Sequence, residues 1–292
     1  MRPKLIILGK LSCMTKQPRK RPFLFLKHLV KSAFAGMGMN ILNRYESDAF
    51  NHSGIKQIYA RWTQEEVPIG LRQFIYSNFQ RSKAQLQQDL VAQYLSRHDT
   101  HQNRFFVEFG ATDGVTLSNS YLLEAAGWRG ILVEPDVNWH PALEKNRRNK
   151  IDKRCVYSES GLEVEFINSD IGELSGVKIH ANNDGWGSTR QNGVTSIVKT
   201  VSLEDLLIEN EAPGVIDYLS IDTEGSEYEI IKNFNFRNWE IIFISIEHNF
   251  SLNQKNIDEK MRENNYERVL NTISAWDAWY IKKEYLEEFL AE

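Results

Sequence analysis

Six side chains in two short stretches have the types and spacing for acid–base or cation chemistry: Asp222, Glu224 and Glu227, then Glu247, His248 and Asn249. Each stretch closes an apolar run. Three carboxylates within six residues repel one another unless a cation, a proton or hydrogen bonds compensate, so the crowding points to function. Glu224 and Glu227 also suit the positive end of a following helix, which accounts for Glu227. His248 and Asp222 are the candidates for a general base, with Glu224 and Glu247 orienting a substrate. The competing arrangement is a divalent cation such as magnesium, held by the hard oxygens of Asp222, Glu247 and Asn249. The base is preferred, and no metal ligand is assigned.

A second group could hold a ligand. The run Phe105–Phe109 carries Glu108 near its end, and Gly110 and Gly114 follow at four-residue spacing. This pattern predicts a strand, a tight turn and a helix, with Gly110 allowing close backbone approach and Gly114 keeping the helix near the strand. The middle glycine of a dinucleotide fingerprint is absent. Glu134 ends the next apolar run, 26 positions beyond Glu108. A carboxylate there has two acceptor oxygens, enough for both hydroxyls of a ribose. Ser158, after Cys155-Val-Tyr157, would close the third strand where an adenine edge is read.

Alternating elements must position these residues. A helical region is expected at 70–96, with Leu86, Leu90, Val91, Tyr94 and Leu95 on its apolar face and Gln85, Gln88 and Asp89 off it. Strands are expected at 104–109, 130–134, 154–157, 215–221 and 240–247, with helices at 116–126, 138–148, 202–210, 225–234 and 254–264. Extended segments at 162–168, 177–180 and 194–201 flank a polar loop at 182–188, and two strands close the chain near 266–273 and 277–282. Regular alternation means an α/β fold with a parallel sheet covered by helices on both faces. Ligands bind such sheets at the carboxyl ends of the strands, where the candidate residues cluster.

The net charge of −4 hides an asymmetry. Residues 1–45 hold ten basic residues and no acid, leaving 25 basic residues against 39 acidic ones in the remainder. Phe23, Leu26, Val30 and Phe34, with Lys27 and Lys31 opposite, read as a short basic amphipathic helix suited to an anionic membrane surface or to the acidic domain. No run reaches the ~18 apolar residues of a membrane-spanning helix. The two cysteines, Cys13 and Cys155, have no metal or disulfide spacing. A cytoplasmic location is expected, with packing of this segment on the acidic domain slightly preferred to peripheral contact at the inner membrane face through residues 19–36. The organisation reads as a basic segment at 1–45, a helical lead-in at 46–100 and a catalytic domain at 101–292.

Five motifs in order resemble the FkbM family of S-adenosylmethionine-dependent O-methyltransferases: Phe106-Val-Glu-Phe-Gly-Ala-Thr-Asp-Gly114, Gly130-Ile-Leu-Val-Glu-Pro135, Thr200-Val-Ser-Leu-Glu-Asp-Leu206, Asp217-Tyr-Leu-Ser-Ile-Asp-Thr-Glu-Gly-Ser-Glu227 and Ile246-Glu-His-Asn249. Gln85-Leu-Gln-Gln-Asp89 is similar to the segment that precedes the family's first strand. The resemblance implies a class I methyltransferase (Rossmann-like) sheet of seven strands with the last one antiparallel. It implies S-adenosylmethionine as cofactor, with Glu108, Gly110, Ala111, Asp113, Gly114, Glu134 and Pro135 around it. Glu108 stands where many members have aspartate. The expected reaction is methylation of a hydroxyl on a sugar, glycan or similar metabolite, the 182–188 loop governing acceptor choice. The alternative is a non-catalytic scaffold of a membrane-associated glycan-assembly complex. Nothing resembles a nucleic-acid module.

Overall fold

Strand β1 (Phe105–Phe109) is buried at all five positions, as an unbroken apolar run predicts for a strand covered on both faces. It lies between two parallel neighbours, β2 (Arg129–Val133) and β8 (Val215–Ile221). Beyond β2 comes β3 (Lys150–Asp152), and beyond β8 comes β9 (Glu240–Glu247), both parallel. The last strand, β11 (Asp277–Lys282), runs antiparallel to β9 and to β10 (Tyr266–Val269). The seven-stranded order is β10-β11-β9-β8-β1-β2-β3. The structure is a computed structural model describing residue 58 and residues 60–97, 103–169, 174–180 and 193–290. The basic N-terminal segment and the 182–188 loop lie outside the described residues.

One sheet face carries Phe109, Ile131, Leu219, Ile244 and Tyr280, drawn from five strands and enclosed in one apolar cluster. Full burial of such side chains contributes roughly 1.5–3 kcal/mol each. The other face stacks aromatic rings: Tyr218 on Phe243 at 5.2 Å, Trp279 edge-on at 6.1 Å, and Trp62 on Trp279 at 6.3 Å. Trp62 thereby ties the lead-in segment to the sheet. The expected single helical region is two helices, Ile69–Asn78 and Gln88–Leu95, separated by a 3-10 turn over Phe79–Arg81 and a short connection that ends at left-handed Gln87. Gln88 and Asp89, placed by periodicity off the apolar face, are buried nonetheless. Among the described residues no helix is long and apolar enough to cross a membrane.

Two expectations are corrected. Cys155–Tyr157 is not the third strand of the main sheet; that place belongs to β3, five residues earlier. Cys155–Tyr157 (β4) turns away to pair with β7 (Val194–Ser202) in a second sheet of order β4-β7-β5-β6, where β5 is Glu163–Asn168 and β6 is Gly176–Val177. Val156 enters the main apolar cluster from this separate sheet, so strand periodicity alone did not reveal the change of partner. Second, the helix expected at 116–126 spans only Tyr121–Ala125. Asp113 caps a turn, and Ser118, Asn119 and Ser120 turn inward to Glu108, so these short polar groups withhold the preceding turns from the helix.

Candidate active site

Gly110 is the hinge of the carboxyl edge. Its amide and that of Ala111 both donate to the Val133 carbonyl, at 3.0 and 3.2 Å, which ties the end of β1 to the end of β2. On the other side a Cβ on Gly110 would lie 2.2 Å from the Asp222 carbonyl oxygen, and its φ of +75° already favours glycine. Three strand ends therefore converge on backbone that carries no side chain. Thr112, the next turn residue, is left-handed at φ 46° and donates its amide to Glu134 Oε2 at 2.7 Å. Asp136 donates its amide to the other Glu134 oxygen at 2.8 Å. Burial, then Asp136 and Asp222, push the Glu134 carboxyl up to about 8 despite these bonds. Further donors from a ligand would favour its ionised form.

The other residues expected around a cofactor divide. Ala111 is buried within the turn and Pro135 directly follows Glu134. Asp113 is committed to local structure, accepting from the Val115 and Thr116 amides at 2.8 and 2.7 Å and from the Thr116 hydroxyl. Glu108 accepts from Ser118, from the Asn119 amide at 2.6 Å and from Ser120, and faces Arg147 at 3.5 Å. Its carboxylate thus serves its own chain. Ser158 follows β4 of the second sheet, so its predicted place at a main-sheet strand end is corrected.

The acids at the ends of β8 and β9 do converge. Asp222, Glu224 and Glu247 each bring a carboxylate oxygen within 4.8 Å of the others. Glu224 sits at φ 58° before Gly225, a strained turn of the sort found at functional sites. Glu227 belongs to the scaffold: its Oε1 accepts from the Thr223 and Gly225 amides at 3.1 and 2.9 Å. Glu247 differs, because its Oε2 is sealed from solvent and receives no hydrogen bond among the described residues. Burial, then Asp222, Glu224, Glu227 and Asp277, push its carboxyl well above the usual range. The trio offers hard oxygens that could hold a divalent cation, and adds Glu224 to the anticipated Asp222 and Glu247.

His248 is not among them, which corrects its expected place beside the carboxylates. Its Nδ1 accepts from the Phe250 amide at 3.0 Å, its ring meets Phe250 edge-on at 5.3 Å, and its Nε2 lies 3.4 Å from Arg268. Burial and the Arg268 charge push it down to about 4, so it is a weak base.

Two participants were missed. Asp277 lies directly opposite Glu247 across the β9–β11 pair, and burial followed by Asp222 pushes it up to about 8. Its Oδ2 accepts from the Trp279 indole at 3.2 Å and from Gln88 at 3.3 Å, so the lead-in helix reaches the acids. An acid inside the aromatic run Trp276–Tyr280 was the available signal. Gly176 of β6 is the other, since a Cβ there would lie 3.3 Å from Glu224, while neighbouring Ser175 donates to Asp136 at 2.8 Å. A shallow cleft of about 430 Å³ lined by Tyr121, Trp128 and Arg148 flanks the amino ends of β2 and β3, away from this edge.

Residues 108–268 match the family model described as the methyltransferase FkbM domain, more than half of the chain. The chain belongs to that family and is a methyltransferase. No curated protein matches it.

Proposed function

We propose that the methyl donor is S-adenosylmethionine, bound on a class I (Rossmann-like) sheet, and that the acceptor is a hydroxyl of a sugar, glycan or similar metabolite. The class I reading is supported by the strand order, with β1 between β2 and β8 and an antiparallel β11. The observation that carries the function is the meeting of the glycine turn with the acids: Gly110 has room for no Cβ because the Asp222 carbonyl approaches it. A ligand lying against Gly110 is thereby brought beside Asp222, Glu224 and Glu247.

The donor, when bound, supplies an electrophilic methyl on a sulfonium. Glu134 would take the two ribose hydroxyls, one to each oxygen, which suits a carboxylate anchored by two backbone amides. Gly110 and Ala111 supply close backbone approach. On the acceptor side a hydroxyl must lose its proton as it attacks, and the chain offers Asp222 to receive it, with Glu224 and Glu247 orienting the acceptor. Glu247 Oε2, buried and without a hydrogen bond among the described residues, is well matched to a hydroxyl donor. His248 drops out of this role because its ring is engaged elsewhere. The same lone oxygen favours a second reading, in which Asp222, Glu224 and Glu247 hold a divalent cation that lowers the acceptor's pKa.

Calorimetry with S-adenosylmethionine tests the donor: micromolar binding is expected, and none would leave the scaffold alternative. Comparative mass spectrometry of glycans and small metabolites after gene deletion tests the acceptor, with loss of one O-methyl expected; a lost N-methyl would refute it. Peripheral membrane contact through residues 19–36 belongs to the same proposal, supported by the basic, acid-free sequence. Full-length protein should bind anionic vesicles less as salt rises; salt-independent binding would refute an electrostatic contact.

A further inference from the structure

Arg147, directly after helix His140–Asn146, has a side chain with no solvent exposure. A buried guanidinium is costly unless its N–H groups are matched. Here they are matched by the segment that follows the glycine turn. Nε donates to Glu124 at 2.9 Å, one terminal nitrogen to the Gly114 carbonyl and the Ser118 hydroxyl, both at 3.1 Å, and the other to the Ser120 hydroxyl at 2.8 Å. The group lies 5.6 Å from the Phe106 ring centre and 5.9 Å from that of Tyr121. Ser118 and Ser120 also donate to Glu108, which faces Arg147 at 3.5 Å. Glu108 and Arg147 are therefore two poles that fold residues 114–124 over the end of β1. Gly114 completes the fit, since a Cβ there would lie 2.6 Å from Arg147 Cγ.

We infer that Arg147 is a positioning residue of the donor site, closing with Glu108 a buried clasp that holds the Gly110–Gly114 turn in its ligand-ready form. Glu108, expected on the cofactor, then acts through the turn. The inference rests on the donor reading above. The first half of the turn is fixed by Val133, Asp222 and Glu134; the second half is anchored by Arg147 together with Asn146, whose side chain donates to the Asp113 carbonyl. Lysine in place of Arg147 keeps the charge and loses the fork that reaches four partners at once. Preorganisation of this kind acts on ligand affinity.

The test uses full-length protein with two readouts. Calorimetry with S-adenosylmethionine should show affinity falling about tenfold or more in Arg147→Lys, with Glu108→Gln falling in parallel. In Arg147→Ala, millimolar methylguanidinium should restore part of the affinity, which a merely destabilised protein would not show. Hydrogen exchange without ligand should quicken at the Val115, Thr116 and Asn119 amides in Arg147→Lys, while β9 and β11 stay protected. Folded Arg147→Lys with wild-type affinity and unchanged exchange would overturn the clasp. Wild-type protein that binds no donor would overturn the donor reading instead, and the exchange experiment would still decide the clasp. If Arg147→Ala fails to fold, Arg147→Lys and Glu108→Gln carry the test.

Discussion

Replacing Asp277 by asparagine should flatten the dependence of stability on pH. Burial, together with Asp222 and Glu227, pushes this carboxyl up to about 8, whereas an unfolded aspartate titrates near ~3.9. A carboxyl raised on folding stabilises the native state most below its unfolded pKa, and that contribution is lost as pH rises toward the folded value. Between pH 7 and 8 the native state still holds most of one proton at Asp277 and the unfolded state holds none. Stability therefore falls by about 1 kcal/mol per pH unit from this residue alone. Asparagine keeps an acceptor oxygen for Trp279 and Gln88 and removes the titrating proton opposite Glu247. The variant should accordingly lose about 1 kcal/mol per pH unit less than wild type over that window. His248 does not confuse the comparison: its pKa is pushed down to about 4, so its stabilising contribution is lost only as pH falls below ~6.5. Urea unfolding in EDTA at pH 7.0, 7.5 and 8.0 measures the slopes. Parallel lines for the two proteins would refute the assignment of a proton to Asp277.

Gly110→Ala should lose donor binding and at least ~2 kcal/mol of stability, because the new Cβ meets the Asp222 carbonyl at a left-handed φ; near-wild-type melting and calorimetry would contradict this. Glu134→Gln should weaken S-adenosylmethionine and 5′-methylthioadenosine in parallel, each by about tenfold, since both carry the ribose and hydrogen bonds to a charged acceptor are worth about 1.5–3 kcal/mol. An effect on only one of the two would remove Glu134 from the ribose. His248→Ala should keep methyl transfer within about tenfold of wild type while lowering thermal stability; a folded variant with a hundredfold slower turnover would restore the histidine to the chemistry. Full activity in EDTA would exclude the cation reading, and loss reversed by magnesium would support it over a carboxylate base.

The strand ends were legible in the sequence because each is an apolar run closed by a charged or glycine residue, and β1, β8 and β9 lie within a residue of where that pattern put them. Strand identity was readable and strand partnership was not. Cys155–Tyr157 has the composition of a buried strand and is one, yet which sheet it joins depends on β7, some forty residues later. Asp277 and Gln88 escaped for a related reason, since their significance exists only once β11 is laid beside β9 and the lead-in helix reaches its end. His248 shows the converse error. It stands next to Glu247 in sequence, but neighbours along an extended chain point to opposite faces, and its ring went to Arg268.

The carboxylates of the carboxyl edge separate by who satisfies them. Glu108, Asp113 and Glu227 are met by their own chain. Such groups cost little to hold and fix the turns in which they lie. Glu247 has an oxygen that nothing among the described residues meets, and Asp277 is held opposite it. Folding alone gives no reason to keep two buried acids face to face, since apolar residues of like size would be as stable or more so. The left-handed backbone at Thr112, Glu224 and Asn249 falls at the ends of β1, β8 and β9, so strain collects on the same edge. An unmet carboxyl oxygen and strained backbone coincide beside the glycine turn, and a substrate hydroxyl or a cation is what would satisfy that oxygen.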